Sequence, residues 1–143
     1  MQTFLPISDF RENAMVLDFK RLGKQRVEAA QILANLGVEM RKTNGEPFKP
    51  THKNHPCVKM WRGFEEALKF YYNEIVSEWI TRGYKNNMKF LEVCHFELPP
   101  FIGNKGFHDS HKSNLLRKNF EHYSQFNWDV SLELDYVWGE IYA

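Results

Sequence analysis

A chain of 143 residues has the length of one domain and can bury a hydrophobic core. Its apolar content of 43% argues against a disordered protein, and no apolar run reaches the length of a membrane span. The formal net charge of +1 excludes a uniformly basic protein, yet six Lys and Arg residues accompany a single acid, Glu46, between positions 41 and 62. Such clustering is typical of a surface that binds a polyanion, although charge runs are also common on plain solvated surface.

Residues 1–6 lack the charged start, apolar stretch and small-residue cleavage site of a secretory signal. We therefore expect an intracellular, cytoplasmic protein. We also expect a monomer without membrane contact. Two cysteines, Cys57 and Cys94, are too few for a disulfide framework, so we expect both thiols and His95 in or near the core.

Two helical pieces are predicted over residues 9–36. Asp9 precedes Glu12 by three residues, as in a capping box, and Gly37 is a typical helix stop. Gly23 is the predicted join between the two pieces. Residues 41–56 are rich in Lys, Thr, Asn, Gly and Pro, which predicts a loop open to a partner.

The longest periodic segment begins at Pro56 and ends at Arg82-Gly83, which predicts a long core helix. Residues 84–106 are interrupted by Pro and Gly and predict a structured loop, and a short helix is expected at 110–123. The last twenty residues are aromatic and lack a clear period. The predicted fold is all-α, a single compact domain over residues 1–143 with a long central helix and an irregular aromatic C-terminal segment.

One face of the early helix carries Arg21, Lys24, Gln25 and Glu28 at i, i+3, i+4 and i+7. An apolar stripe adjoins this face, so the helix packs on one side and presents two cations, an amide and a carboxylate on another. On this segment alone, a solvated face with an ordinary Lys24–Glu28 pair is the favoured interpretation.

A second polar cluster occupies residues 103–118, where a glycine loop precedes a helix start. Free backbone N–H groups and the positive end of the helix dipole would suit phosphate there. A helix capped by Asp109 or Ser110 with solvated lysines is an equally good interpretation. His52, His55 and Cys57 do not have the paired spacing of structural zinc ligands, so we expect no metal.

Several stretches together resemble the pyrimidine-dimer DNA glycosylase/AP-lyase family of phage endonuclease V. Residues 138–143, Trp-Gly-Glu-Ile-Tyr-Ala, are similar to the aromatic-Gly-Lys-Ala-Ile-Tyr-Ala end of the phage enzyme. Residues 78–84 resemble the end of its long helix. A branch of bacterial and viral relatives that begin Met-Gln-Thr-Phe-Leu-Pro is similar here also at 21–28, at 54–56 with 60–63, and at 110–117.

The resemblance implies an all-helical enzyme, without metal or cofactor, that acts on duplex DNA with a damaged or modified base. In this family the α-amine of the first residue attacks C1′, a glutamate exchanges protons, and β-elimination cuts the strand. Basic side chains hold a kinked duplex with a base flipped out. The phage enzyme exposes a threonine amine after methionine removal, whereas the bulky Gln2 is expected to leave Met1 in place.

The family's catalytic glutamate follows an arginine of the early helix. An ungapped comparison puts Arg21 at that arginine, and Glu28 is the nearest following carboxylate. The hypothesis is therefore that Met1 supplies the amine, Glu28 the carboxylate, and Gln25 a supporting group. The expected DNA contacts are Arg21, Lys24 and Arg26 around the scissile nucleotide, His55, Lys59, Arg62, His111, Lys112, Ser113, Asn114 and Arg117 along the backbone, and Trp138 and Tyr142 near the base.

Two other functions remain open from the sequence. One is a non-catalytic nucleic-acid-binding module of the same fold. The other is a glycosylase for a modified base, or for RNA, in which Glu28 activates a water molecule.

Overall fold

The computed structural model describes residues 1–42 and 44–142. Its elements are α1 (Phe10–Val16), α2 (Phe19–Asn35), α3 (Pro56–Trp61), α4 (Glu65–Thr81), α5 (Lys105–Lys118), α6 (Phe120–Tyr123) and 3-10 turns at Ser124–Phe126 and Gly139–Tyr142. Over these ranges the chain forms no strand, only an isolated bridge between Arg41 and Pro47. The all-α prediction, with its irregular C-terminal segment, is confirmed. None of the described helices is long and apolar enough to cross a bilayer.

Two helices of 17 residues each, α2 and α4, form the centre of the molecule. They pack along each other, and α1 packs on α4. A β-carbon added at Gly23 would lie only 3.1 Å from the Trp79 ring, so the absent side chain permits this close packing. Because α2 runs from Phe19 to Asn35, Gly23 lies inside this helix, and its prediction as a helix join was wrong.

The true join is at Leu17-Asp18. Asp18 is the N-cap residue of α2, and its backbone N–H donates to the Tyr123 hydroxyl over 3.0 Å. The Tyr123 hydroxyl in turn donates to the Asp18 carboxylate. This contact attaches α6 to the start of α2.

The predicted helix over 56–82 is divided into α3 and α4 by a turn at Arg62-Gly63-Phe64. Gly63 has φ +88°, a left-handed conformation that favours glycine, and its N–H donates to the Glu65 carboxylate over 3.0 Å. The apolar period continues through the turn, which explains why the sequence predicts one helix. The predicted end at Arg82-Gly83 is confirmed, since Gly83 has φ +87°.

The helix predicted over residues 110–123 begins earlier, at Lys105. Its N-cap is Asn104, whose side chain accepts from the Phe107 N–H over 3.1 Å, so neither Asp109 nor Ser110 is the cap. Ser110 is buried, and its hydroxyl donates to the Phe107 carbonyl.

The first nine residues precede the first helix, and their Phe4-Leu5 part passes between α2 and α5. The Phe4 N–H donates to the Gln25 side chain over 3.0 Å, and the Leu5 N–H donates to His111 Nδ1 over 3.1 Å. Nδ1 of His108 is 2.7 Å from the Leu5 carbonyl. These contacts fix the position of Met1 at one edge of the α2 face.

The predicted burial of both cysteines is half correct. Cys57 is buried beneath the N-terminal segment, whereas Cys94 is exposed. His95 is exposed as well. Both residues lie in the segment between α4 and α5, which contributes Met88 and Phe101 to the core but keeps Cys94 and His95 at the surface.

Candidate active site

The N-terminus, α2 and the C-terminal segment together enclose a cavity of about 430 Å³, which we call the first cavity. Its lining residues are Met1, Gln2, Phe4, Lys20, Arg21, Lys24, Glu28, His55, Lys118, Tyr136 and Trp138. Four of these residues are Lys or Arg, and Glu28 is the single acid. The cavity therefore combines a cationic rim, one carboxylate and aromatic walls.

Three predicted site residues reach the first cavity from the same helix. Arg21, Lys24 and Glu28 follow one another at spacings of three and four residues, which places them on one side of α2. Arg21 also forms an ion pair of 3.2 Å with Asp18. The predicted polar face is thus the floor of a cavity and not a plain solvated surface.

Gln25, the fourth residue of that face, points into the protein and is fully buried. Its Nε2 donates to the Gln2 carbonyl over 2.7 Å and to the Glu28 carboxylate over 3.0 Å. Its Oε1 accepts from the Phe4 N–H over 3.0 Å and from the Tyr71 hydroxyl. All four hydrogen-bonding positions of the amide are therefore occupied. Gln25 joins the N-terminal segment to the carboxylate and acts as a positioning residue.

Glu28 has an altered proton affinity. Burial raises the pKa of its carboxyl group. That rise is opposed, in decreasing order, by the charge of the Met1 α-amine, by the hydrogen bond from Gln25, and by the charges of Lys24 and Lys118. Because the rise prevails, Glu28 can exchange protons closer to neutral pH than an exposed glutamate. The α-amine is close enough for its charge to act on this carboxylate.

The far wall of the first cavity is aromatic. The Trp138 ring lies 5.7 Å from the His55 ring and 5.9 Å from the Tyr136 ring, centroid to centroid. The Tyr136 hydroxyl is buried and has no hydrogen-bond partner among the described residues. Burial raises the pKa of Tyr136 to about 12, so this hydroxyl stays protonated and is a free donor.

Burial also lowers the pKa of His55, and the positive α-amine contributes in the same direction. Its Nδ1 accepts from the Cys57 N–H over 3.0 Å and caps α3. His55 is therefore a neutral ring in this wall near neutral pH, rather than a cation.

Sequence reasoning did not assign Lys20 and Lys118 to the site, and it indicated Tyr136 only as a residue of a terminal segment that could reach a ligand. Lys20 stands four residues before Lys24, so helical spacing could have indicated it. Lys118 and Tyr136 reach the first cavity only through the packing of α5 and the C-terminal segment, which no spacing predicts.

Two other predicted DNA contacts lie away from the first cavity. The Arg26 guanidinium stacks 4.3 Å from the Trp79 ring and donates to Asn86 over 3.0 Å. The Tyr142 hydroxyl donates to Asn104 over 2.9 Å and holds the C-terminus on the start of α5.

The predicted backbone contacts on α5 form bonds inside the protein. His111 and Ser113 are 1% and 0% exposed, which leaves their side chains no surface for DNA. Ser113 Oγ accepts from the Leu134 N–H over 3.0 Å, and Asn114 donates to the Leu134 carbonyl over 3.1 Å. Arg117 donates to the same carbonyl over 2.7 Å. These side chains hold the C-terminal segment against α5.

The three remaining predicted contacts lie outside the lining of the first cavity. Lys112 is 3.8 Å from Asp109 and 5.8 Å from the Trp128 ring. Lys59 is an exposed residue of α3, and Arg62, which follows α3, donates to the Lys53 carbonyl over 3.1 Å.

Comparison with the curated proteins and with the solved structures gives no significant match. A family model described as pyrimidine dimer DNA glycosylase matches residues 1–92, which include α1 to α4 and the Met1, Gln25 and Glu28 side of the first cavity. This match spans more than half of the chain, and the protein belongs to the pyrimidine dimer DNA glycosylase family.

Proposed function

We propose that this chain removes a damaged pyrimidine from DNA and then cuts the strand as an AP lyase, with the first cavity as its active site. The observation that carries the proposal is the presence of Met1, whose α-amine charge acts on Glu28, and of the half-buried Glu28 carboxylate in one cavity. The volume of about 430 Å³ suits a small organic ligand such as one extrahelical nucleotide.

The proposal treats residues 1–143 as one domain of this family that acts as a monomer. Lys118, Tyr136 and Trp138 follow the matched segment in sequence and complete the first cavity. A single copy of the chain therefore supplies every side of the site.

The chemistry begins with the nitrogen of Met1. Its electron pair forms a bond to C1′ while the bond from C1′ to the base breaks, and the departing base takes up the proton that the nitrogen loses as it becomes a secondary amine. Glu28, in its acid form, donates the proton that opens the sugar ring, and a cationic imine remains on C1′. The imine makes the C2′ hydrogen acidic. The Glu28 carboxylate removes it, and the C3′–O bond breaks with its electron pair on the departing phosphate.

The remaining lining residues bind the substrate. Arg21, Lys24 and Lys118 neutralise phosphates around the scissile nucleotide. Trp138 offers a stacking surface to the pyrimidine, and the Tyr136 hydroxyl donates to a base carbonyl that replaces its missing partner.

The test is incubation with duplexes that contain a cyclobutane dimer or an abasic site, in the presence of borohydride. Reduction of the imine should leave a stable protein–DNA adduct, and mass spectrometry should map it to Met1. The same preparation shows by intact mass whether Met1 is retained before Gln2.

Variants of two glutamates separate chemistry from binding. Glu28→Gln should lower base release by about 10²- to 10⁴-fold while DNA binding persists. Glu74→Gln is the matched control, because burial also raises the pKa of Glu74 but the residue does not line the first cavity. Unchanged turnover in Glu28→Gln would contradict the assignment.

The same assays distinguish the two rival functions. Base release without a trapped adduct would support water activation by Glu28 in place of the amine. Binding that weakens steeply with salt, without base release, would support a non-catalytic module.

A further inference from the structure

The polar face of α2 does not end at Glu28. It continues through Gln31 and Asn35, again at spacings of three and four residues. Beside this continuation lies a second cavity of about 240 Å³, which shares Met1 with the first cavity. Residues from the following loop, including Lys42, Phe48 and Lys49, form its other side.

The second cavity is held together by hydrogen bonds between the loop and α2. Asn35 is buried, and its Oδ1 accepts from the His52 N–H over 2.7 Å. The loop is also paired with itself, since the Phe48 N–H donates to the Met40 carbonyl over 2.9 Å. The wall that carries Lys42, Phe48 and Lys49 is therefore fixed against the helix.

The charge of the second cavity is positive. Lys42 and Lys49 line it without any acidic residue, and within residues 1–42 and 44–142 neither lysine forms an ion pair. The Lys42 ammonium is 5.9 Å from the centre of the half-buried Phe48 ring. Two unneutralised cations beside an aromatic ring suit a nucleotide phosphate.

We propose that the second cavity is a phosphate subsite for the DNA whose damaged nucleotide occupies the first cavity. Gln31 and Asn35 lie three and seven residues beyond Glu28, or about 5 and 10 Å along the helix axis. Phosphates of one strand are about 3.4 Å apart along a duplex axis. With the strand running parallel to α2, as the proposal requires, the subsite takes a phosphate about one to three nucleotides from the reacting sugar. This inference rests on the proposed function of the first cavity.

The experiment compares wild type with the double variant Lys42→Ala/Lys49→Ala. The control is Lys85→Ala, which removes an exposed lysine that lines neither cavity. Affinity for a 20-base-pair duplex with a stable abasic-site analogue is measured by fluorescence anisotropy at several salt concentrations. Each lost phosphate contact should reduce the slope of log K against log salt by about 0.9, and the double variant loses the one phosphate of the subsite, so its slope should fall by about 0.9. The control should keep the wild-type slope.

A second series keeps one flank of the analogue at full length, so that the duplex stays hybridised, and shortens the other flank to one, two, three or six nucleotides; the two flanks are tested in turn. Wild type should gain affinity on one side once the chain reaches the subsite, and the double variant should not. Equal slopes and equal length dependence in both proteins would overturn the subsite. Binding requires no turnover, so this result is independent of the borohydride test, whose failure would instead refute the proposed reaction.

Discussion

His111 is a buried base whose proton affinity makes the stability of the fold depend on pH. The residue is 1% exposed, and its Nδ1 accepts from the Leu5 N–H over 3.1 Å. Burial, assisted by the charge of His108, lowers the pKa of His111 from 6.5 to about 3. The ring is therefore neutral in the folded protein throughout the mildly acidic range.

Because the folded pKa lies below the unfolded value, the unfolded chain takes up a proton first as the pH falls. The stability contributed by the neutral ring is complete above pH 6.5 and is lost progressively toward pH 3. Each pH unit of this interval corresponds to about 1.4 kcal/mol. At about pH 5 the free energy of unfolding should therefore have fallen by about 2 kcal/mol on account of His111 alone.

The test is His111→Asn, because the asparagine oxygen can accept from the Leu5 N–H but does not titrate. Urea unfolding is followed by tryptophan fluorescence at about pH 7.5 and about pH 5. The variant loses ring contacts with Phe107 and Tyr136, so its stability is lower at both pH values. The informative quantity is the change in the free energy of unfolding between the two pH values, which should be about 2 kcal/mol smaller in the variant. Equal changes in the two proteins would refute the reasoning.

Three further predictions concern other parts of the molecule. Brief alkylation of the native protein should label the exposed Cys94 and spare Cys57, whose thiol is buried with its pKa raised to about 12; peptide mass spectrometry gives the sites. Gly139→Ala would place a β-carbon 2.3 Å from the Phe101 ring, so thermal unfolding should occur several degrees lower, and an unchanged Tm would contradict this packing. Because Lys24 lowers the pKa of Glu28 and the β-elimination needs the Glu28 carboxylate, Lys24→Ala should move the acidic limb of the strand-cleavage pH profile on an abasic-site duplex to higher pH, and an unmoved limb would count against Glu28 as the titrating group.

The α2 face shows how far helical spacing can predict a site. The period places Arg21, Lys24 and Glu28 on one side, and the structure brings all three to the first cavity. The same period also includes Gln25, which is buried, because the N-terminal segment passes there and its backbone groups need partners. Spacing identifies a polar face, but only the path of the rest of the chain decides which of its members are covered.

The turn between α3 and α4 shows that an apolar helical period does not predict where a helix is interrupted. A single glycine in the left-handed conformation divides the predicted helix, and apolar positions on both sides still face the same core. Gly63 was visible in the sequence, as was Gly23, yet the first breaks a helix and the second lies inside one. The difference is that the Trp79 ring packs against Gly23, a contact between residues far apart in sequence.

The polar residues of α5 form a pattern that suits a phosphate site in the sequence, but in the structure they bind the backbone of the C-terminal segment. The C-terminal segment has almost no regular secondary structure, so its N–H and carbonyl groups lack the partners that a helix would supply. Ser110, Ser113, Asn114 and Arg117 supply them, to Val137, Leu134 and Leu132. Their polar character therefore serves the segment that carries Tyr136 and Trp138 to the first cavity. Polar side chains beside an irregular, packed segment can be assigned to a ligand only after the hydrogen bonds that they form with the backbone of that segment have been considered.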